Sequence, residues 1–253
     1  MTKKPKMIDS KQRVGADNLL ALKPEQDAAD PQVHQLSRGI ICRTERKAQK
    51  RSPLSIVLDA TEGFIPLWMP NLVLRWTFDD ASLAAFQNPG AIKTRIRQVF
   101  AAAVTAWGAA APVRFIENTD NSDFAIFMEH NDDCTPQGCT LAQAFFPDAG
   151  RHPLYVFPKM FQQNQHEQVD TLTHEIGHVF GLRHFFAPDA ETEWPSVVFG
   201  KQKPFSIMNY GANSELTATD RSDLKKLYKG VWSGLITNIN GTPIKLVRPH
   251  HSA

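Results

Sequence analysis

Cysteine is scarce in this chain, with three residues in 253, at positions 42, 134 and 139. No second pair exists to join Cys134 and Cys139 in a closed four-ligand structural zinc site. The spacing of those two admits either a small disulfide loop or two reduced thiols. Net charge is also low, +2 at neutral pH, and gives no reason to expect a nucleic-acid partner. No apolar run approaches the length of a membrane span. The start, Met1-Thr2-Lys3-Lys4-Pro5-Lys6, is basic but no apolar core follows it. No secretory signal is therefore read, and a cytoplasmic or non-classically secreted protein is expected.

The charges are unevenly spread. Residues 1–51 hold twelve Lys/Arg against six Asp/Glu, whereas the remainder holds sixteen against twenty. Polar residues and scattered prolines dominate up to about residue 62, with only short apolar patches such as Leu19-Leu20-Ala21-Leu22 and Ile40-Ile41. Residues 1–62 are accordingly expected to be a basic, poorly ordered, pro-like segment, and 63–253 a single globular domain, 42% of the whole chain being hydrophobic. The basic run Lys47–Arg51 reads as a solvated linker or as a place where a protease nicks the chain.

From Phe64 onward the pattern becomes regular. Leu72–Phe78 alternates as a strand does, and Ile92, Ile96, Val99, Phe100, Ala103 and Trp107 recur at helical spacing within 91–110. Short strands are expected at 113–116, 124–128, 140–146 and 154–157. Asn164-Gln165-His166-Glu167 has the form of a capping box, with His166 as a solvated first-turn residue. The helix it opens would bury Val169, Leu172, Ile176, Val179 and Phe180. A closing helix is expected at 216–228, capped by Thr217 or Thr219. The order of elements implies an α+β fold built on a mixed sheet.

The chemistry lies in Thr173-His174-Glu175-Ile176-Gly177-His178-Val179-Phe180-Gly181-Leu182-Arg183-His184. On a helix, His174 and His178 stand one turn apart on one face, as two ligands of one metal require. Gly181 can end that helix in the left-handed conformation, and the chain then returns with His184 as a third nitrogen. Three imidazoles and one open position describe a catalytic rather than a structural zinc site. Glu175 sits beside the ligands as a base for a water that the metal activates. By composition alone the full pattern would arise roughly a few times in 10⁵ such sequences.

This His-Glu-x-x-His-x-x-Gly-x-x-His pattern, followed by Ser206-Ile207-Met208-Asn209-Tyr210-Gly211, resembles the metzincin metallopeptidases, closest to their matrixin-like branch. The resemblance covers roughly residues 66–232. It implies an upper subdomain with a mixed twisted sheet, active-site helix and backing helix, and a small C-terminal subdomain with a methionine turn and closing helix. It places Met208 beneath the three histidines, Tyr210 near the metal as an oxyanion donor, and Thr140–Phe146 as the edge strand that pairs with a bound peptide. One Zn²⁺ is implied, held by His174, His178 and His184. The second zinc and the structural calcium of many matrixins are not carried over, because only His152 and Asp148 stand where their ligands would be. Phe185 departs from the serine that usually follows the third histidine in that branch. Trp194, Val197, Val198, Phe199 and Phe205 either line a substrate pocket or pack beneath a loop. Cys42 is either a bland thiol or a latency ligand for the metal.

The function so implied is that of a monomeric zinc metalloendopeptidase acting on peptides or proteins. Two other readings share the motif: a catalytically silent zinc-binding protein on a protease fold, and an effector or toxin protease dedicated to one substrate.

Overall fold

The computed structural model describes residues 56–60, 63–135, 138–184, 196–199, 206–209 and 214–252. Cys42, the Lys47–Arg51 run, Phe185, Trp194, Phe205 and Tyr210 lie outside them.

Strands β1 (Ile56–Asp59), β2 (Ile65–Trp68) and β3 (Val73–Phe78) come first. In β3 the alternation seen in the sequence becomes alternate burial, with Leu74, Trp76 and Phe78 turned into the core. A short helix α1 (Asp80–Leu83) leads to α2 (Pro89–Trp107), which opens with proline in its first turn, where the missing N–H costs nothing. Its buried residues are Ile92, Ile96, Val99, Phe100, Ala103 and Trp107, the six that helical spacing selects. Strands β4 (Arg114–Glu117), β5 (Phe124–Met128), β6 (Asp133–Thr135), β7 (Gly138–Thr140), β8 (Ala142–Gln143) and β9 (His152–Val156) follow.

Five of these strands form the main sheet, in the order β4-β3-β5-β9-β8. The first four run parallel and β8 is antiparallel at the edge, so the sheet is mixed. The expected edge strand is thus present but only two residues long: Thr140 pairs instead in β7, and residues 144–146 leave the ladder ahead of Pro147. Strands β6 and β7 make a separate hairpin, which the Cys134–Cys139 disulfide closes.

Helix α3 (Gln165–Val179) starts on Asn164, whose side chain accepts from the His166 and Glu167 amides while Glu167 reaches back to the cap. Of the expected apolar stripe, Leu172, Ile176, Val179 and Phe180 are buried and Val169 only partly, but burial extends to the polar face: Gln168, Asp170, Thr171 and Thr173 are inside as well. The polar groups tolerate this because they are bonded. Arg95 Nε donates to Gln168 Oε1 at 2.9 Å, Thr171 Oγ1 to Gln163 Oε1 at 2.9 Å, and Thr173 Oγ1 to Val169 O at 2.7 Å. His166 is exposed, as expected, with Asp170 Oδ2 2.8 Å from its Nδ1.

Strands β10 (Leu182–Arg183) and β11 (Ser196–Phe199) flank β1 in a three-stranded antiparallel sheet. Among the described residues, strand pairing begins at Ile56, seven residues ahead of position 63. Helix α4 (Ala218–Trp232) is capped by Thr217 in a capping box with Asp220 and runs four residues past Tyr228. Strands β12 (Asn238–Ile239) and β13 (Thr242–Val247) form a hairpin whose turn residues, Asn240 and Gly241, have φ of 49° and 85°. β13 then runs parallel to β2, pairing Ile244 with Ile65 and Val247 with Trp68. The segment after Pro249 is fastened to the sheet. The His251 amide and Nδ1 approach the buried Asp123 carboxylate at 2.8–2.9 Å, and Arg75 N donates to its other oxygen at 2.7 Å. No helix among the described residues is long and apolar enough to cross a membrane.

The fully buried Trp107 ties α2 to α3, its indole N–H donating to Thr173 O at 3.0 Å, one residue before His174. Trp107→Phe removes that donor together with one of the indole's two fused rings. It is expected to lower unfolding stability by at least about 1–3 kcal/mol, the usual cost of a buried group left without its partner, with a cavity cost added. Urea unfolding measures this, and an unchanged midpoint would assign the indole N–H no structural weight.

Candidate metal centre

Each histidine reaches the site by a different local device. His174 and His178 lie a turn apart on α3, and both are buried. The Nδ1 of His174 is 2.7 Å from Ile207 O, and that of His178 is 2.7 Å from Leu182 O. A carbonyl only accepts, so each Nδ1 carries the proton and each Nε2 presents a lone pair. The two Nε2 atoms stand 3.2 Å apart. His184 arrives after the helix has ended, and its Nε2 lies 3.1 Å from that of His174.

The end of α3 decides where His184 goes. Gly181 takes φ of 88°, a conformation that suits glycine, and its amide donates to His178 O at 2.8 Å. The remaining carbonyls of the last turn are capped by side chains. Trp68 Nε1 donates to Val179 O at 2.6 Å, and the Tyr228 hydroxyl donates to Phe180 O at 3.1 Å. Trp232 Nε1 in turn donates to Trp68 O at 2.9 Å, tying α4 to the same corner. Burial holds the Tyr228 hydroxyl well above its ordinary pKa, so it stays a donor. None of these three aromatic residues was marked by the sequence as serving the site.

The methionine turn lies directly under the helix. A Cβ added at Gly177 would run into Met208 Sδ and approach Trp107 Cζ2 at 3.4 Å. Glycine between the two helical histidines is thus a packing requirement, imposed by the thioether beneath it. The turn is braced from below by Asp220. Its buried carboxylate accepts from Thr217 N at 2.9 Å and Thr217 Oγ1 at 2.8 Å, and also from the Ser206 side chain and the Ile207 amide. Burial holds this carboxyl above the usual carboxylate range, against those hydrogen bonds, which favour its ionised form. Ile207 therefore faces two ways: its amide goes to Asp220 and its carbonyl to His174. In the sequence, Thr217-x-x-Asp220 reads only as a local cap, and its reach to the methionine turn leaves no local signature.

The donor set suits zinc. Zinc–imidazole bonds are about 2.0–2.1 Å, so tetrahedral angles put neighbouring nitrogens about 3.3 Å apart. The observed 3.1 and 3.2 Å are close to that, and the three ligand atoms all lie within 4.8 Å of one another. Burial, reinforced by the adjacent Arg183 cation, pushes His184 down to about 3, so it is neutral and able to coordinate. Three protein nitrogens leave a position for a further ligand, the pattern of catalytic zinc. Glu175 is buried on α3 between the two helical histidines in sequence. The position assigned to Tyr210 lies outside the described residues.

Gly177→Ala sets two effects against each other. Alanine gains roughly 1 kcal/mol of helix propensity, but the added carbon overlaps a buried thioether, and overpacking costs about 1–3 kcal/mol. The expected result is a lower Tm, and coupling to Met208 identifies the cause. Gly177→Ala with Met208→Ala should be less destabilised than the sum of the single variants in thermal unfolding; simple additivity would locate the strain elsewhere.

Comparison with known proteins bears on this site as a whole. The Peptidase_M10 family model, Matrixin, matches residues 75–229, a span that runs from β3 into α4 and holds the three histidines and Met208. No curated protein matches significantly. Among solved structures, one of myroilysin aligns at 13% identity and a TM-score of 0.42, covering 68% of this chain and 98% of that one. A second myroilysin structure aligns at 11% identity and a TM-score of 0.40, covering 77% of this chain and 92% of that one. The family match spans well over half of the chain, which belongs to the matrixin family of zinc metallopeptidases, within the metzincins.

Proposed function

We propose that this protein is a zinc-dependent endopeptidase, with His174, His178 and His184 holding Zn²⁺ and Glu175 as its general base. The observation that carries the reading is the convergence of three buried imidazoles through Nε2, two of them fixed in tautomer by main-chain carbonyls. When bound, zinc supplies Lewis acidity toward a peptide carbonyl and lowers the pKa of water. Glu175 takes the proton from the attacking water and later delivers it to the leaving amine, so the peptide C–N bond breaks without a charged amide anion. Burial of Glu175 on a helix that α2, the methionine turn and α4 hold in place supports this role, because a proton shuttle works best when it is fixed in position. Tyr210, two residues after Met208, stabilises the oxyanion as it develops. The substrate is a peptide or protein, and an extended segment adds to the sheet along β8, whose outer backbone edge faces no further strand among the described residues.

The decisive test is Glu175→Gln, which keeps the side chain's size and removes the base. Zinc should remain bound at the stoichiometry of the unsubstituted chain, while cleavage of a peptide selected from a library falls by about 10²- to 10⁴-fold. Cleavage at the original rate would end the reading of Glu175 as base. Equal zinc content with no cleavage by either protein would favour a binding role.

For Tyr210→Phe the expectation is milder: a kcat about 10- to 1,000-fold lower, with zinc retained. Steady-state kinetics that leave kcat unchanged would remove Tyr210 from the mechanism.

A further inference from the structure

Two of the three histidines sit on a helix; the third depends on a strand of two residues. β10 supplies the backbone that leads directly into His184, and its Leu182 carbonyl is the partner of His178 Nδ1. Any displacement of β10 therefore disturbs two ligands together. So short a strand has little hold of its own, and the only strand that pairs with it among the described residues is β1. Val57 stands opposite Arg183, and Leu58 opposite Leu182. On its other side β1 pairs with β11, from the stretch between His184 and the methionine turn, along all four of its residues. The strand is anchored in the core, with Leu58 and Ala60 essentially fully buried.

We propose that β1 is a positioning strand for the histidine triad. Residues 56–59 hold β10 in register and so fix the approach of His184 and the carbonyl that orients His178. They belong to the metal site although they lie ahead of the region that the family model matches. A strand that merely filled the core would add stability without a link to the metal. A positioning strand must instead be coupled to it, and the coupling is reciprocal: pairing tightens zinc, and zinc tightens pairing. The inference rests on the reading of the triad as a zinc site.

The full chain tests it by amide hydrogen exchange, metal-free and loaded with zinc. Zinc should slow exchange in residues 56–59 together with 182–184. If zinc protects 182–184 and leaves 56–59 unchanged, β1 is only a core strand and the proposal fails. The second arm is Val57→Pro, which removes a ladder donor from the middle strand. Its zinc affinity, from competition with a chelator, should weaken by about 10- to 100-fold, as loss of a group that orients a ligand typically does. Val57→Thr keeps the amide and should bind as the unsubstituted chain does. Unchanged affinity in Val57→Pro also overturns the proposal, and should that variant not fold, the exchange comparison decides alone. A full chain that takes up no zinc overturns the zinc reading and this inference together. Tight zinc binding to which β1 is indifferent overturns this inference alone.

Discussion

Buried imidazoles can share a space about 3 Å across only if they are neutral and turn their lone pairs toward a common point. The protein meets that condition largely with backbone. Main-chain carbonyls at Ile207 and Leu182 accept hydrogen bonds from the Nδ1–H groups of two rings, and burial keeps the third from charging. The positions of those carbonyls must then be held, and much of the surrounding architecture serves this need. Asp220 fixes the turn that bears Ile207, while Trp68 and Tyr228 cap the helix end that leads to Leu182. The geometry of the three histidines is thus inherited from the packing of α3 against α2, the hold of α4 on the helix end, and two turns.

Much of this was legible, and the reasons are local. A 3.6-residue period selects the six buried positions of α2 without error, because one face meets the core along its whole length. The capping box of α3 and the stop at Gly181 are written in residues adjacent to the events they control. The histidine spacing is likewise a property of one helix and one turn. The hairpin cysteines left two outcomes open, and the structure pairs them across β6 and β7.

What the sequence hid depends on distant partners. Ile56-Val57-Leu58-Asp59 is short and carries no alternation, so nothing nearby marks it as the middle strand of a sheet. Helix α3 looks amphipathic but is buried nearly all round, since its polar side chains meet Arg95, Gln163 and Val169. Asp220 and Tyr228 read as a cap residue and a core aromatic until the methionine turn and the helix end appear beside them. His251 finds Asp123 across 128 positions, a pairing that no window along the chain can contain.

The parallel pairing of β2 with β13 sets an order of events during synthesis. Ile65 meets Ile244 and Trp68 meets Val247, so β2 leaves the ribosome long before its partner exists. Loop closure over such a span is slow and comes late, because its entropy is lost before any contact rewards it. Trp68 also caps α3 and accepts from Trp232. The corner beside the three histidines is therefore among the last parts of the fold to be completed. A nascent chain carrying all three histidines still lacks the strand that fastens their support. The support of the three histidines is thus finished after the histidines themselves, by a strand that ends at residue 247.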